Sequence, residues 1–531
     1  MGLNKEQTEV VNSNASKILC LAGAGTGKTH SMISRINRLV NEEKVIPMSI
    51  LVLTFTEAAA FEMEERYKRN SKVSLSPTFC TFHKFCYSRI INNLGIRRKL
   101  GYSEIPKVVE DSEYKSIITK LKMKLGLKIS DKKLFGKEML SMKEQYEYNV
   151  LQKALTTELK RQNLITFDLM CYEVCELFVN DDPLIQQYKN KYKYVFVDEF
   201  QDTDPKQYKF ICSFTNSSLF VVGDIQQAIY GFRGADSSII KSLADSNEWT
   251  TIKLVHNYRS TKQICDFSNN ICKLGGDVKE QYVIDLEADR NGPEVKSLYT
   301  DVSLKYLLKD NLLKSGMAGT TAILVRTNAE VKMIRQILDN MRIAYTTNSN
   351  KDEEIESILK CCIDEDFALS YLSSKLDSNT YSEYMRLTVY DDDEYNNFNK
   401  FIELYGNHYA VAKYYSTIRS IKSLLNHYNK TPYQKCLDIC NKLNIYSTNI
   451  KLEGNTDSEI INAVLLATKS NESYNIYVGT IHSSKGLEYN NVLVFGVAGS
   501  KFKLTNEENR NIYYVACTRA KDNLTVFRGD I

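Results

Sequence analysis

The stretch KILCLAGAGTGKT at residues 17–29 constrains the fold more than any other part of the chain. Its first residues are apolar and read as a buried strand, Gly23, Gly25 and Gly27 read as a tight turn, and Lys28 and Thr29 open a helix. A strand, a glycine-rich turn and a helix N-terminus together aim several backbone N–H groups at one point, where anionic oxygens are stabilised. This is the phosphate loop G-x-x-x-x-G-K-[ST] with Ala22 where its first glycine belongs. The alanine is tolerable if residue 22 keeps an ordinary negative φ, because only a left-handed turn excludes its methyl group. The expected cradle is therefore Ala22, Gly23, Ala24, Gly25, Thr26, Gly27, Lys28 and Thr29, with Lys28 on the β- and γ-phosphates and the Thr29 hydroxyl on Mg²⁺.

A loop of this kind needs a parallel sheet, and the chain supplies the strands. Runs that are apolar nearly throughout recur at 17–23, 50–56, 194–199, 219–224, 321–327, 476–482 and 491–497, as suits strands covered by helices on both faces. The class is α/β. Between the strand groups lie charged, helical stretches, 86–190 and 346–471, which read as insertions into α/β cores. In YVFVDEFQD at 194–202 the apolar run delivers Asp198 and Glu199 to a strand's C-terminal end, where ligands bind in open α/β sheets. There Asp198 is suited to hold Mg²⁺ through water and Glu199 to polarise the water that attacks a γ-phosphate. The phosphate loop and this strand end together point to an ATP-hydrolysing enzyme.

Four further stretches narrow the class: VVGDIQQAIYGFRGAD at 221–236, LVHNYRS at 254–260, VGTIHSSKGLEYNNVLVFG at 478–496 and YYVACTRAKDNL at 513–524. In this order they resemble the motif series of superfamily 1 helicases of the UvrD/Rep/PcrA type. LNKEQTEVV at 3–11 resembles their adenine-reading segment, and AGAGTGKT is their form of the phosphate loop, alanine included. The resemblance implies two RecA-like P-loop cores, each carrying a mostly helical insertion. The first core would span 1–85 and 191–258 with its insertion at 86–190. The second would span 259–345 and 472–531 with a reduced insertion at 346–471. It also implies that Gln7 reads the adenine edge, Tyr258 stacks on the base, and Glu488 contacts the ribose. Gln227 would sense the γ-phosphate, and Arg259 and Arg519 would reach it across a cleft, as arginine fingers do.

TFTEAAAFEM at 54–63 and CTFHKF at 80–85 resemble the family's strand-binding elements. The resemblance implies that Phe55, Tyr230 and Phe232 stack on bases, and that Thr81, His83, Arg326, Thr480 and His482 contact the strand. Stacking tolerates any base, as stepping along every sequence requires. The implied partners are single-stranded DNA and tailed duplex, with a nuclease or a repair or replication protein as a further partner class. Three departures bear on grip and coupling. Glu57-Ala58 stands where the family has Asn-Lys, GDIQQ replaces an acidic GDxDQ pattern, and Phe232 replaces a tryptophan. The favoured function is an ATP-dependent translocase on single-stranded DNA, 3′ to 5′, that unwinds duplex. The alternative is a nucleic-acid sensor or regulatory subunit of an anti-phage or nuclease complex; the reduced insertion and the short stretch after Arg519 lean towards it.

Composition adds exclusions. Lys and Arg exceed Asp and Glu by 69 to 65, so a net charge of +4 names no anionic partner by itself, and any DNA groove must be a local basic surface. The 13 cysteines lack C-x-x-C spacing and read as free thiols of a reducing cytoplasm rather than zinc ligands. No signal core and no stretch of roughly 18 apolar residues is present, which predicts no membrane partner. DDDE at 391–394 reads as a solvated face.

Overall fold

A computed structural model describes residues 2–109, 111–130, 133–134, 139–274, 280–299, 303–314, 319–341, 343–347, 351–376, 380, 384, 397–443, 455–469 and 475–530. The DDDE run lies outside them. In chain order the strands are β1 (Lys17–Ala22), β2 (Ile50–Thr54), β3 (Thr78–Thr81), β4 (Lys107–Val108), β5 (Leu164–Ile165), β6 (Tyr194–Val197) and β7 (Ser218–Gly223). They continue with β8 (Thr250–Leu254), β9 (Lys296–Tyr299), β10 (Thr321–Val325), β11 (Ile476–Thr480), β12 (Tyr489–Val497) and β13 (Ala520–Arg528). Six form one sheet in the order β3-β2-β6-β7-β1-β8, and five form a second in the order β11-β10-β12-β13-β9. The described pairings are parallel. These are the two α/β cores the apolar runs predict.

Both faces of the first sheet are buried. On one, Ile18, Cys20, Ile50, Val52, Phe196, Val222 and Leu254 pack against Met32, Ile36 and Leu39 of the helix Lys28–Asn41. That helix shows why the run after the phosphate loop is amphipathic: its apolar stripe recurs at three- and four-residue spacing and closes onto the sheet. The second sheet buries Ile323, Val325, Val478, Leu493, Phe495 and Phe527 against Val331, Ile334 and Leu338 of the helix Asn328–Asn340.

Two compact units divide the chain. One comprises Met1–Leu100, Phe167–Thr347 and Tyr474–Ile531 and holds both sheets; the other comprises Gly101–Thr166 and Asn348–Ser473. Among the described residues the second unit is helical apart from the β4–β5 pair, with a core that includes Leu359, Leu372, Phe401, Ile421, Ile439 and Ile460. Residues 86–100 and 167–190, which the sequence reading assigns to the first insertion, fall in the unit that holds the sheets. The reason is aromatic packing. Phe178 of the helix Phe167–Val179 lies 4.5 Å from Phe210 and 5.4 Å from Phe214 by ring centroids, and Phe85 adds to the same cluster. Among the described residues, no helix is long and apolar enough to cross a membrane.

Candidate functional site

A parallel sheet gathers the C-terminal ends of its strands along one edge. In the first sheet that edge carries Thr54 and Phe55 after β2, Thr81 at the end of β3, Asp198 after β6, Asp224 after β7, the phosphate loop after β1, and Asn257 to Arg259 after β8. In the second it carries Arg326 after β10 and Thr480 with His482 after β11. The candidate nucleotide residues thus cluster at β6-β7-β1-β8, and the candidate strand residues at β3-β2 and β11-β10.

Ala22 is the last residue of β1, buried and in register with Leu254 of β8, and its φ is not positive. The turn that follows takes its left-handed steps at Gly25 (φ 70°) and Gly27 (φ 83°), the latter being the N-cap of Lys28–Asn41. A Cβ on Gly27 would lie 2.8 Å from Gln7 Nε2. Gln7 is held by a capping box: its amide N–H donates to Asn4 Oδ1 at 2.8 Å and its Oε1 accepts from Asn4 N at 3.1 Å. Its Nε2 donates to the Thr26 carbonyl at 3.1 Å, so this buried side chain braces the phosphate loop. On the other flank Asn257 Nδ2 donates to the Ala24 carbonyl at 2.6 Å and Tyr258 N to the Gly25 carbonyl at 2.9 Å. The Tyr258 ring, 44% exposed, keeps an open surface beside the loop, edge-on to His256.

Lys28 and Thr29 begin the helix half-buried, and the Lys28 charge acts on Asp198, Glu199, Asp202 and Asp224. Burial and the adjacent charge of Glu199 push the Asp198 carboxyl above its usual range. Burial also pushes Glu199 upward, but Lys28 and Lys485 outweigh it and hold Glu199 below its usual range. Glu199 is one of few non-glycine residues with positive φ (50°), a conformation that costs of order 1–3 kcal/mol and concentrates at functional sites. Gln201 fixes it: Gln201 Nε2 donates to Glu199 Oε2, while Gln201 Oε1 accepts from Asp224 N at 3.0 Å. Asp198 Oδ1 is buried with no hydrogen-bond partner among the described residues. A desolvated carboxylate oxygen left open beside a lysine fits a divalent cation, and Asp198 with the Thr29 hydroxyl is the set that would hold Mg²⁺.

Two side chains of the second core, Arg519 and Lys485, reach this group. Arg519, buried to 2% exposure, donates from Nη2 to Gln227 Oε1 at 3.2 Å, and Gln227 Nε2 donates to Asp224 Oδ2 at 2.7 Å. Lys485 pairs with Asp202 and donates to the Gln227 carbonyl at 3.0 Å. Both partners of that ion pair are nearly sealed, with side chains 7% and 1% exposed, and burial raises the Asp202 carboxyl to about 6 despite the lysine. Arg259 extends the other way, with Nε donating to Glu488 Oε2 at 2.8 Å and Nη1 to the Thr518 carbonyl at 3.2 Å. Lys521 takes the second Glu488 oxygen at 2.6 Å. Arg259 and Glu488, expected to meet phosphate and ribose, are thus partners of one another.

The ring residues form one row. Phe55 stacks on Tyr230 with centroids 5.3 Å apart and planes 11° apart. Phe232 meets Tyr230 edge-on at 6.0 Å and His482 edge-on at 5.4 Å, and the Tyr230 hydroxyl donates to the His482 carbonyl at 3.5 Å. Arg233 lies over both Tyr230 and Phe232, and Lys485 over Tyr230 at 4.8 Å. Burial and the nearby Arg326 charge lower His482 to about 4, so its imidazole is neutral at pH 7. Thr480 spends its hydroxyl on Ser483, capping the turn that carries His482. His83 stands outside the row, its ring edge-on to Phe167.

Sequence reasoning missed Lys485, Asp202, Gln201, Asn257 and Arg233. All five stand inside the motif stretches, but nothing local marks the partners of Lys485, Asp202 and Asn257, which come from distant parts of the chain.

With this geometry in view, two family models match: the UvrD/REP helicase N-terminal domain over residues 3–248 and the UvrD-like helicase C-terminal domain over residues 365–528. The chain belongs to the UvrD-like helicases. It is similar to the ATP-dependent DNA helicase PcrA of Staphylococcus aureus, 25% identical with 99% of this chain and 83% of the relative covered. PcrA of Staphylococcus epidermidis is 26% identical over the same shares. In this UvrD-like helicase Gln7, Asp202, Gln227, Lys485 and Arg519 lie within the matched regions, and Asn257 to Arg259 lie in the segment between them.

Proposed function

We propose that this helicase is an ATP-driven translocase on single-stranded DNA that moves 3′ to 5′ and separates tailed duplex ahead of it. Lys28 and the loop amides bind the nucleotide phosphates, Tyr258 stacks on the base, and Gln7 sets the adenine edge. Glu199 takes a proton from the attacking water as its oxygen adds to the γ-phosphorus and the bond to the β-phosphate oxygen breaks. The charges of Lys28 and Lys485 keep it ionised. Asp198 and Thr29 would hold Mg²⁺, which would supply charge neutralisation on the phosphate oxygens. Arg259 and Arg519 add positive charge from the far side of the cleft, Arg259 after exchanging Glu488 for phosphate.

The observation that carries this reading is the position of Gln227. Its side chain joins the carboxylate group of the first core to Arg519 of the second, and the Tyr230–Phe232 rings follow a few residues later on the same loop. A change in nucleotide state therefore has a short covalent route to the ring row. The direction of travel is proposed from likeness to the family.

The test is ATP hydrolysis with and without oligonucleotide, followed by unwinding of matched 3′-tailed and 5′-tailed duplexes. Strong stimulation by single strands, abolished by Lys28→Ala or Glu199→Gln, and unwinding of the 3′-tailed duplex are expected. No stimulation by any nucleic acid sinks the translocase reading, and unwinding of the 5′-tailed duplex alone reverses the polarity.

A further inference from the structure

Along the row of strand ends assigned to DNA, one acidic side chain holds the donors that a phosphate would want. Glu57 is the first residue of the helix Glu57–Asn70, immediately after β2, whose last residue Thr54 is in register with Thr81 at the end of β3. The Glu57 carboxylate accepts from Lys84 Nζ at 2.8 Å and from the Thr81 hydroxyl at 3.5 Å. The same Thr81 oxygen accepts from the Lys84 backbone N–H at 3.1 Å, which fixes where the hydroxyl proton points. An ammonium and a hydroxyl converging on one anion is a donor set that nucleic-acid phosphates use for positioning.

We propose that Glu57 is an affinity-determining residue for the strand: its carboxylate occupies a backbone-phosphate position at Thr81 and Lys84, and DNA must displace it. This rests on the translocase reading. Both side chains of the pair are more than half exposed, so the ion pair is weak and one incoming phosphate competes with it on even terms. Glu57 also takes a favourable place in the first turn of its helix, so the carboxylate has somewhere stable to remain after losing Lys84. The consequence for a stepping enzyme is a contact that closes and reopens readily, because the internal anion refills the position each time a phosphate leaves.

The experiment is equilibrium binding of a fluorescent oligothymidylate to the full chain across a salt series, for wild type, Glu57→Gln, Lys84→Ala and the double variant. Glu57→Gln is expected to bind roughly 3- to 10-fold more tightly at low salt. Its log K against log salt should steepen by about 0.7, the increment for one added single-strand phosphate contact. Lys84→Ala alone is expected to change affinity less than about twofold, because its charge is already spent on Glu57, and in the double variant it should remove the whole gain. Unchanged or weaker binding by Glu57→Gln overturns the inference, as does a gain that persists without Lys84. Either result leaves the translocase reading standing if wild type binds and is stimulated. Failure of wild type to bind any single strand overturns both.

Discussion

Arg519 and Gln227 meet as a buried donor and acceptor, Nη2 to Oε1 at 3.2 Å, and Gln227 passes the contact on to Asp224 at 2.7 Å. The Gln227 amide is thus acceptor to one buried polar group and donor to the other. Gln227→Leu leaves a buried carboxylate oxygen and a guanidinium N–H short of a partner. A stability loss of about 1–3 kcal/mol is expected by urea denaturation. Stimulation of ATP hydrolysis by single strands should fall about tenfold, a typical size for a coupling energy between sites. Full stimulation in this variant would show that the bridge does not couple the cores.

The Asp202–Lys485 pair gives a pH prediction with a definite sign. Burial raises Asp202 from 3.8 to about 6, so the fold favours its protonated form. That contribution is complete below pH 3.8 and is lost as pH rises through about 6. Against an Asp202→Asn reference, wild type should therefore gain thermal stability as pH falls from 7 to 5. The same protonation dissolves the ion pair with Lys485, so single-strand stimulation should fall on an acid limb near pH 6 that Asp202→Asn lacks.

Removing one partner of this sealed pair is a different matter from titrating it. Asp202→Ala also removes the oxygen to which buried Lys485 donates, which protonation leaves in place, and is expected to cost about 3–5 kcal/mol. Asp202→Ala with Lys485→Met should recover most of that stability in the same denaturation assay, without recovering stimulation.

The ring row is expected to act through stacking alone. Phe55→Ala and Tyr230→Ala should each weaken binding of single strands by about 1–3 kcal/mol irrespective of base composition. Hydrolysis in the absence of DNA should be unaffected in Phe55→Ala, whose ring is 44% exposed and touches the row rather than the carboxylate group. A loss confined to particular base sequences would instead indicate direct base reading.

Within the phosphate loop the glycines and the alanine separate by conformation. Ala22→Gly should cost no more than about 1 kcal/mol and leave hydrolysis intact, since Ala22 is an ordinary strand residue. Gly27→Ala must accept φ 83° and a methyl group 2.8 Å from Gln7 Nε2, and is expected to abolish nucleotide binding, read by a fluorescent ATP analogue.

Much of this was legible from residue patterns, and the boundary of legibility has a physical basis. β1, β2, β6, β7, β10, β11 and β12 are buried on both faces and announce themselves as unbroken apolar runs. β9 is an exposed edge, KSLY, with nothing to bury, and β8 and β13 open on polar residues, so periodicity is silent there. Phe85 and Phe178 look the same in sequence whether they pack on a sheet or within a helical insertion, so the division of the chain at Leu100 and Phe167 is not legible there. The site divides in the same way. Lys28, Asp198 and Glu199 sit in contiguous motifs that carry their own chemistry, whereas Asp202 gains meaning only from Lys485, 283 residues away in the chain.

Asn257 has a mechanical consequence. Its Nδ2 grips the Ala24 carbonyl while its Oδ1 accepts from both Arg259 N at 2.8 Å and Ser260 N at 2.7 Å. The turn that cradles phosphate and the turn that carries Arg259 are therefore clamped by one short, nearly inextensible side chain, and a Cβ on Gly25 would strike both. Slack in a linkage is lost work, and this joint between fuel and transmission is three short hydrogen bonds on one side chain.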